Sequence, residues 1–156
     1  MNRKVQIVVD PNAEEEIVIR CKEMTPEILR LQKLAQTGVL PRQEEEMSLR
    51  LGDNEYFVPL KDILFFETAD NRIAAHTATH MYYSDKTLCE LSALLPHEFM
   101  RVSKSCIINI RGVVSLHREV TGVCEVFFTN SDKRVYISRM YYKPFREKLL
   151  ELRLNK

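Results

Sequence analysis

From residue 47 onward, apolar residues come in short runs separated at close intervals by Gly, Asn and Asp. Met47–Leu51, Tyr56–Val58, Ile63–Glu67, Arg72–His76, Met81–Tyr83, Cys106–Ile110, Val113–Leu116, Val123–Phe128 and Arg134–Ile137 read as strands. Between them, Gly52-Asp53-Asn54, Asp70-Asn71, Gly122 and Asn130-Ser131-Asp132 supply the residues that hairpin turns require. One short helix interrupts the series. Thr87-Leu88-Cys89-Glu90 is a capping box, Leu88, Leu91 and Leu95 share a face, and Pro96 stops the helix. A closing helix is expected to begin near Pro144, with Phe145, Leu149 and Leu152 as its apolar stripe. The expected class is mostly β with short helices, in small antiparallel sheets.

The first 38 residues follow a different pattern. Lys4–Val9 and Ile17–Cys21 are β-prone runs divided by Asp10-Pro11-Asn12 and the acidic Glu14-Glu15-Glu16. A helix follows, with Thr25 as N-cap, Pro26 at its first position and Gly38 as its stop. This predicts a ββα appendage and linker over residues 1–45 ahead of a β-rich domain over 46–156. So small a unit buries little core alone, so it is expected to dock on the rest of the chain or on another copy.

Composition narrows the class. The chain has 156 residues, 45% hydrophobic and 29% charged, as expected of an ordered globular protein. No apolar run approaches a membrane span, and the N-terminal run is too short for a secretory signal. Cys21, Cys89, Cys106 and Cys124 form no Cys-x-x-Cys pair, and three of the four are expected as reduced core residues of a cytoplasmic protein. The net charge of +1 hides an asymmetry. Residues 1–100 carry 11 Lys/Arg against 17 Asp/Glu, whereas residues 101–156 carry 12 against 5. A basic C-terminal third suits contact with a polyanion.

Within that third, Arg101-Val102-Ser103-Lys104-Ser105 and Ser138-Arg139 place cations and hydroxyls at the ends of β-rich runs. Such groups can meet phosphates and base edges. Further points fall in order: Asp62-Ile63-Leu64-Phe65-Phe66-Glu67, Ile73-Ala74-Ala75-His76, Thr87-Leu88 to Leu95-Pro96, Phe99-x-Arg101, Ser105-x-Ile107-Ile108-Asn109 and Ser138-Arg139. With these, Met47 to Leu152 resembles the LytTR-type DNA-binding domain of bacterial transcription regulators.

The resemblance implies a domain of short strands that lies along double-stranded DNA and inserts loop residues into two successive major grooves. It places the base-contact candidates at Asn71 and Arg72, at Ser103 and Lys104, and at Arg139 and Met140. Arg101, Ser105, Ser138, Tyr141 and Lys143 become phosphate-contact candidates. Lys104 and Arg139 can donate to guanine, and Asn71 has the paired donor and acceptor that suit adenine. Ser103 stands where the family commonly has His. Met140 replaces a polar or basic residue and offers only apolar contact. A homodimer on repeated DNA half-sites is expected, with the appendage meeting a second copy or a regulatory partner such as a small membrane protein. No cofactor is implied. Many family members carry a receiver domain, but only about 45 residues precede the match. Regulation by a sensor kinase is therefore not expected, and Asp10 is not taken as a phosphosite.

Competing readings attach to several residues. Arg101 could brace its loop through an internal carboxylate, and Asn109 is expected to tie a strand end to a neighbouring turn. His76-x-x-x-His80 has helical zinc spacing but spans a strand and a turn, so no metal is expected. Cys106 is expected in the core and not as a nucleophile. Phe65-Phe66 and Phe127-Phe128 are expected to divide between core and surface. An enzyme is not expected, because no acid–base or nucleophile constellation is present. The alternative to a DNA-binding regulator is a protein-interaction module of the same fold that has lost DNA reading.

Overall fold

Strand alternation accounts for the architecture, because successive side chains leave a strand on opposite faces. The structure, a computed structural model, describes residues 11–12, 17–38 and 45–154. The chain divides into two compact units, residues 1–43 and 44–156.

In the first unit, α1 spans Pro26–Thr37. Thr25 caps it by accepting the Ile28 N–H at 3.4 Å, and Gly38 ends it in the left-handed region with φ 70°. None of its residues is buried. The strand expected at Ile17–Cys21 does not appear, as residues 17–21 carry no regular structure. A strand is defined by its ladder, and the partner run expected at Lys4–Val9 lies outside the described residues.

The second unit contains β1 (Glu46–Leu51), β2 (Asn54–Pro59), β3 (Ile63–Ala69), β4 (Arg72–Thr77), β5 (Met81–Ser84), α2 (Leu88–Leu94), β6 (Phe99–Ser103), β7 (Cys106–Asn109), β8 (Val113–Arg118), β9 (Cys124–Phe128), β10 (Arg134–Ile137) and α3 (Arg139–Leu154). Seven strands form one antiparallel sheet in the order β2-β1-β5-β4-β3-β7-β6. A second, three-stranded sheet runs β10-β9-β8.

The seven-stranded sheet is covered on both faces. Phe66 and Ile107 join Met47, Leu49, Ile63, Ala75 and the α2 residues Leu88 and Leu91 in one core. Their neighbours Phe65 and Ile108 join the other core with Val126, Phe128, Ile137, Phe145 and Leu149 from the small sheet and α3. This is why Ile63-Leu64-Phe65-Phe66 and Cys106-Ile107-Ile108 read as unbroken apolar runs. It also corrects the expected division of Phe65-Phe66 between core and surface, since both rings are buried in different cores. Phe127-Phe128 does divide: Phe128 is buried and Phe127 lies half-exposed beneath the Arg134 guanidinium at 5.3 Å.

Three other expectations change. The strand β6 went unanticipated, and its Ser103 is a paired strand residue opposite Cys106, leaving Lys104-Ser105 as the turn. The last helix begins at Arg139, five residues ahead of Pro144, which sits inside it. Packing of Tyr141 and Tyr142 against the core holds that first turn, offsetting the hydrogen bond that Pro144 cannot make. Only two cysteines are buried, Cys106 and Cys124; Cys21 and Cys89 are exposed. On α2 it is Leu88 and Leu91 that face inward, which turns Cys89 toward solvent.

Candidate nucleic-acid interface

Strand register gathers the three candidate loops. Asp70 and Asn71 form a two-residue hairpin turn with φ 50° and 60°, closed by the Ala69–Arg72 pair. Positive φ at both positions is the turn that matches strand twist, and Asn and Asp tolerate it best among residues with side chains. In the antiparallel pairing of β3 with β7, Glu67 lies opposite Cys106. The Lys104-Ser105 turn therefore lies at the same end of the sheet as Asp70-Asn71. The Thr68 N–H donates to the Ser105 carbonyl at 2.9 Å, tying the first loop to the second. The Ser138 N–H donates to the Val102 carbonyl at 3.1 Å, tying the β10–α3 junction to the same end. The loops thus emerge side by side on a main-chain frame.

Asn71, Arg72, Lys104, Ser105, Ser138, Arg139, Met140 and Lys143 are all exposed. Met140 is 80% exposed, an apolar side chain standing free in a polar surface. The Arg72 guanidinium lies 3.7 Å from the centroid of the Tyr83 ring, which orients it while leaving it at the surface. Tyr141 is half-buried against the core, and Ser103 is half-buried as well. The Ser103 hydroxyl accepts the Ser105 N–H at 3.2 Å and lies 3.4 Å from the Ser105 hydroxyl, so its main contacts are within the turn.

Arg101 follows the bracing alternative, with different partners. Its Nε donates to the Ser103 carbonyl at 3.2 Å, its Nη2 to the Lys104 carbonyl, and its Nη1 to Cys89 Sγ at 3.9 Å. It is a brace, but on carbonyls and a thiol, with no carboxylate among these partners. Two neighbours of the third loop were not visible in the sequence. Arg118, at the end of β8, lies over the Tyr142 ring at 4.6 Å, and the Arg139 side chain passes beside Gly122. Both come from the β8–β9 hairpin, which only the folded chain brings there.

Several other readings resolve. Asn109 donates to the Ile63 carbonyl at 3.0 Å and accepts the Arg111 N–H at 3.1 Å, tying a strand end to a turn as expected. Burial pushes the Cys106 thiol up to about 12, with Glu67 adding to the effect, so it stays a protonated core residue at neutral pH. His76 is buried and stacked on Phe65 at 4.3 Å. Its Nε2 lies 2.8 Å from Glu67 Oε1, a contact that is ionic only when the imidazole is protonated. Burial, and then the charge of Lys133, lower its pKa; Glu67 opposes them. Among the described residues no group of His, Cys, Asp or Glu could hold a metal ion. No helix among them is long and apolar enough to cross a membrane.

Comparisons with known proteins bear on the family and the fold. The family model for the LytTr DNA-binding domain matches residues 53–150. An uncharacterized HTH-type transcriptional regulator of Staphylococcus aureus strain COL is 28% identical over 94 residues, which are 60% of this chain and 63% of that protein. Its counterpart in strain MRSA252 is 27% identical over the same shares. The match thus spans less than two thirds of these relatives. In the fold described above, α2 and α3 are separated by five strands and form no helix-turn-helix pair. Among solved structures, a LytTr DNA-binding domain from Bacillus cereus superposes with a TM-score of 0.63 at 22% identity, covering 69% of this chain and 98% of that one. That likeness is one of fold.

Proposed function

The chain belongs to the LytTr DNA-binding domain family, and from that premise we propose that it is a transcriptional regulator that reads double-stranded DNA sequence-specifically through its three loops. The observation that carries this reading is their convergence at one end of the sheet, where Arg72, Lys104 and Arg139 are all exposed. Arg72 or Asn71, Lys104, and Arg139 with Met140 would meet base edges. Ser105, Ser138 and Lys143 would set register on phosphates.

The outer loops lie between three and four strand spacings apart, roughly 15–20 Å. The long side chains of Arg72 and Arg139 extend that reach toward the ~34 Å between successive major grooves. This supports contact with two grooves from one side of the duplex. So small a footprint favours two copies on repeated half-sites, about one helical turn apart.

The test is selection from random duplexes, followed by affinity measurement against salt. If about six phosphates are neutralised, log affinity against log salt should slope near −5. Equal binding to every duplex would count against sequence-specific regulation, and a flat salt dependence would favour a protein-interaction module of the same fold. We assign the appendage to docking on a second copy or on a regulatory partner such as a small membrane protein, a reading supported by its being too small to bury much core alone. Removal of residues 1–38 should then change oligomeric state or DNA affinity; no change in either would end this reading.

A further inference from the structure

We propose that Arg101 acts on DNA recognition from inside the protein, as the positioning residue that fixes the turn presenting Lys104, and not as a phosphate contact. The inference rests on the DNA-reading role of that turn. Lys104 and Ser105 are the two residues between β6 and β7, and the pairing slips between Arg101 and Ser103. A ladder irregularity directly beside a tight turn leaves the turn's backbone poorly specified by strand pairing alone. Arg101 supplies the missing constraint.

Its guanidinium is planar, with donors pointing in fixed directions. Nε holds the Ser103 carbonyl, and Nη2 holds the Lys104 carbonyl from the same plane. Nη1 reaches Cys89 Sγ on α2, and α2 is itself fixed by Leu88 and Leu91 in the core. The residue is half-buried, and three of its five N–H donors already have internal partners, which weakens its case as a phosphate contact. Thus the Cα–Cβ direction of Lys104 is referred through two carbonyls to a helix packed on the core. A lysine ammonium can hold two carbonyls, as Lys133 does with Thr77 and His80 at 2.8 Å each. It is, however, a rotatable point charge without the planar fork that holds the Ser103 and Lys104 carbonyls and also reaches Cys89. Arg101→Lys keeps the charge and removes the geometry.

The experiment compares the full chain with its Arg101→Lys, Arg101→Gln and Lys104→Ala variants on a selected duplex and on single-base variants of it, across a range of salt. Amide hydrogen exchange at Ser105 is followed in the free protein. Arg101→Lys should weaken specific binding about tenfold. It should flatten preference at the same base position as Lys104→Ala and leave the salt slope unchanged. Exchange at Ser105, whose N–H is held by the Ser103 hydroxyl, should quicken in both Arg101 variants. A phosphate contact would behave differently: Arg101→Gln would lower the slope by about one unit with base preference intact, and the proposal would be overturned. Unchanged binding and unchanged exchange would overturn it too. If the unaltered chain shows no sequence preference, the DNA reading itself fails, whereas Ser105 exchange still reports on the brace.

Discussion

Replacement of Asn109 should destabilise the domain without touching the surface proposed to meet DNA. Asn109 is 2% exposed, donates to the Ile63 carbonyl and accepts the Arg111 N–H. Asn109→Ala strands a carbonyl among residues that are almost wholly buried, which costs about 1–3 kcal/mol. The Arg111 N–H lies nearer solvent and recovers water, adding about 0.5–1 kcal/mol. With the lost packing, the expected destabilisation is about 2–4 kcal/mol. Urea denaturation followed by far-UV circular dichroism measures it, provided that the slope with urea stays constant across variants. Asn109→Asp separates the two bonds. It keeps the acceptor for Arg111 but sets a carboxylate against the Ile63 carbonyl, acceptor facing acceptor. At neutral pH it should cost at least about 1 kcal/mol more than Ala, and the gap should shrink in acid as protonation restores a donor. An Asn109→Ala cost below about 1 kcal/mol, or an Asp variant more stable than Ala at neutral pH, would refute the reasoning.

Other perturbations address the loops and the titrating core. Lys104→Ala and Arg139→Ala should each cost about 1–3 kcal/mol in specific binding and relax preference at one base position; a uniform loss over all sequences would make the residue a phosphate contact. Asn71→Gly should preserve the left-handed turn while weakening specific binding, whereas Asn71→Val should lose about 1–2 kcal/mol of folding stability; equal melting temperatures for the two would contradict the role of φ at that position. Because burial lowers the folded-state pKa of His76 below 6.5, the unfolded chain binds a proton that the folded chain refuses in the window below 6.5. Stability should therefore fall as pH drops through that window. His76→Gln should flatten this limb of the stability profile, and an unchanged limb would point to another group.

How much could be read in advance depended on where each signal resided. Nine of the ten described strands could be placed because their ends carry residues with local meaning: Gly52, Asp70-Asn71 and Asn130 adopt positive φ, and only a few residue types do so cheaply. Helix α1 and the capping box at Thr87 were legible for the same reason. β6 was not, because the alternation of Met100-Arg101-Val102-Ser103 is short and its polar members looked like loop chemistry. The true start of α3 was hidden because Pro144 is a strong local marker, whereas the packing of Tyr141 and Tyr142 is tertiary. At the candidate interface, the family resemblance named Asn71, Lys104 and Arg139 as candidates, and the fold brings their loops to one end of the sheet. The sequence could not reveal that Arg72 rests on Tyr83, that Arg118 arrives over Tyr142, or that the brace made by Arg101 falls on carbonyls and a thiol.

The two links that join the candidate loops, Thr68 to Ser105 and Ser138 to Val102, are made by main-chain atoms alone. Any residue except proline at the donor positions can make them. The side chains that stand on this frame can therefore be exchanged one by one while the spacing between them is inherited unchanged. If these tips read bases as proposed, a lineage carrying such a frame can drift from one operator to another by substitutions at a handful of positions, with Asn71 confined to residues that tolerate positive φ. The same property offers a starting point for design: vary Asn71, Arg72, Lys104, Arg139 and Met140 together, and leave every strand as it is.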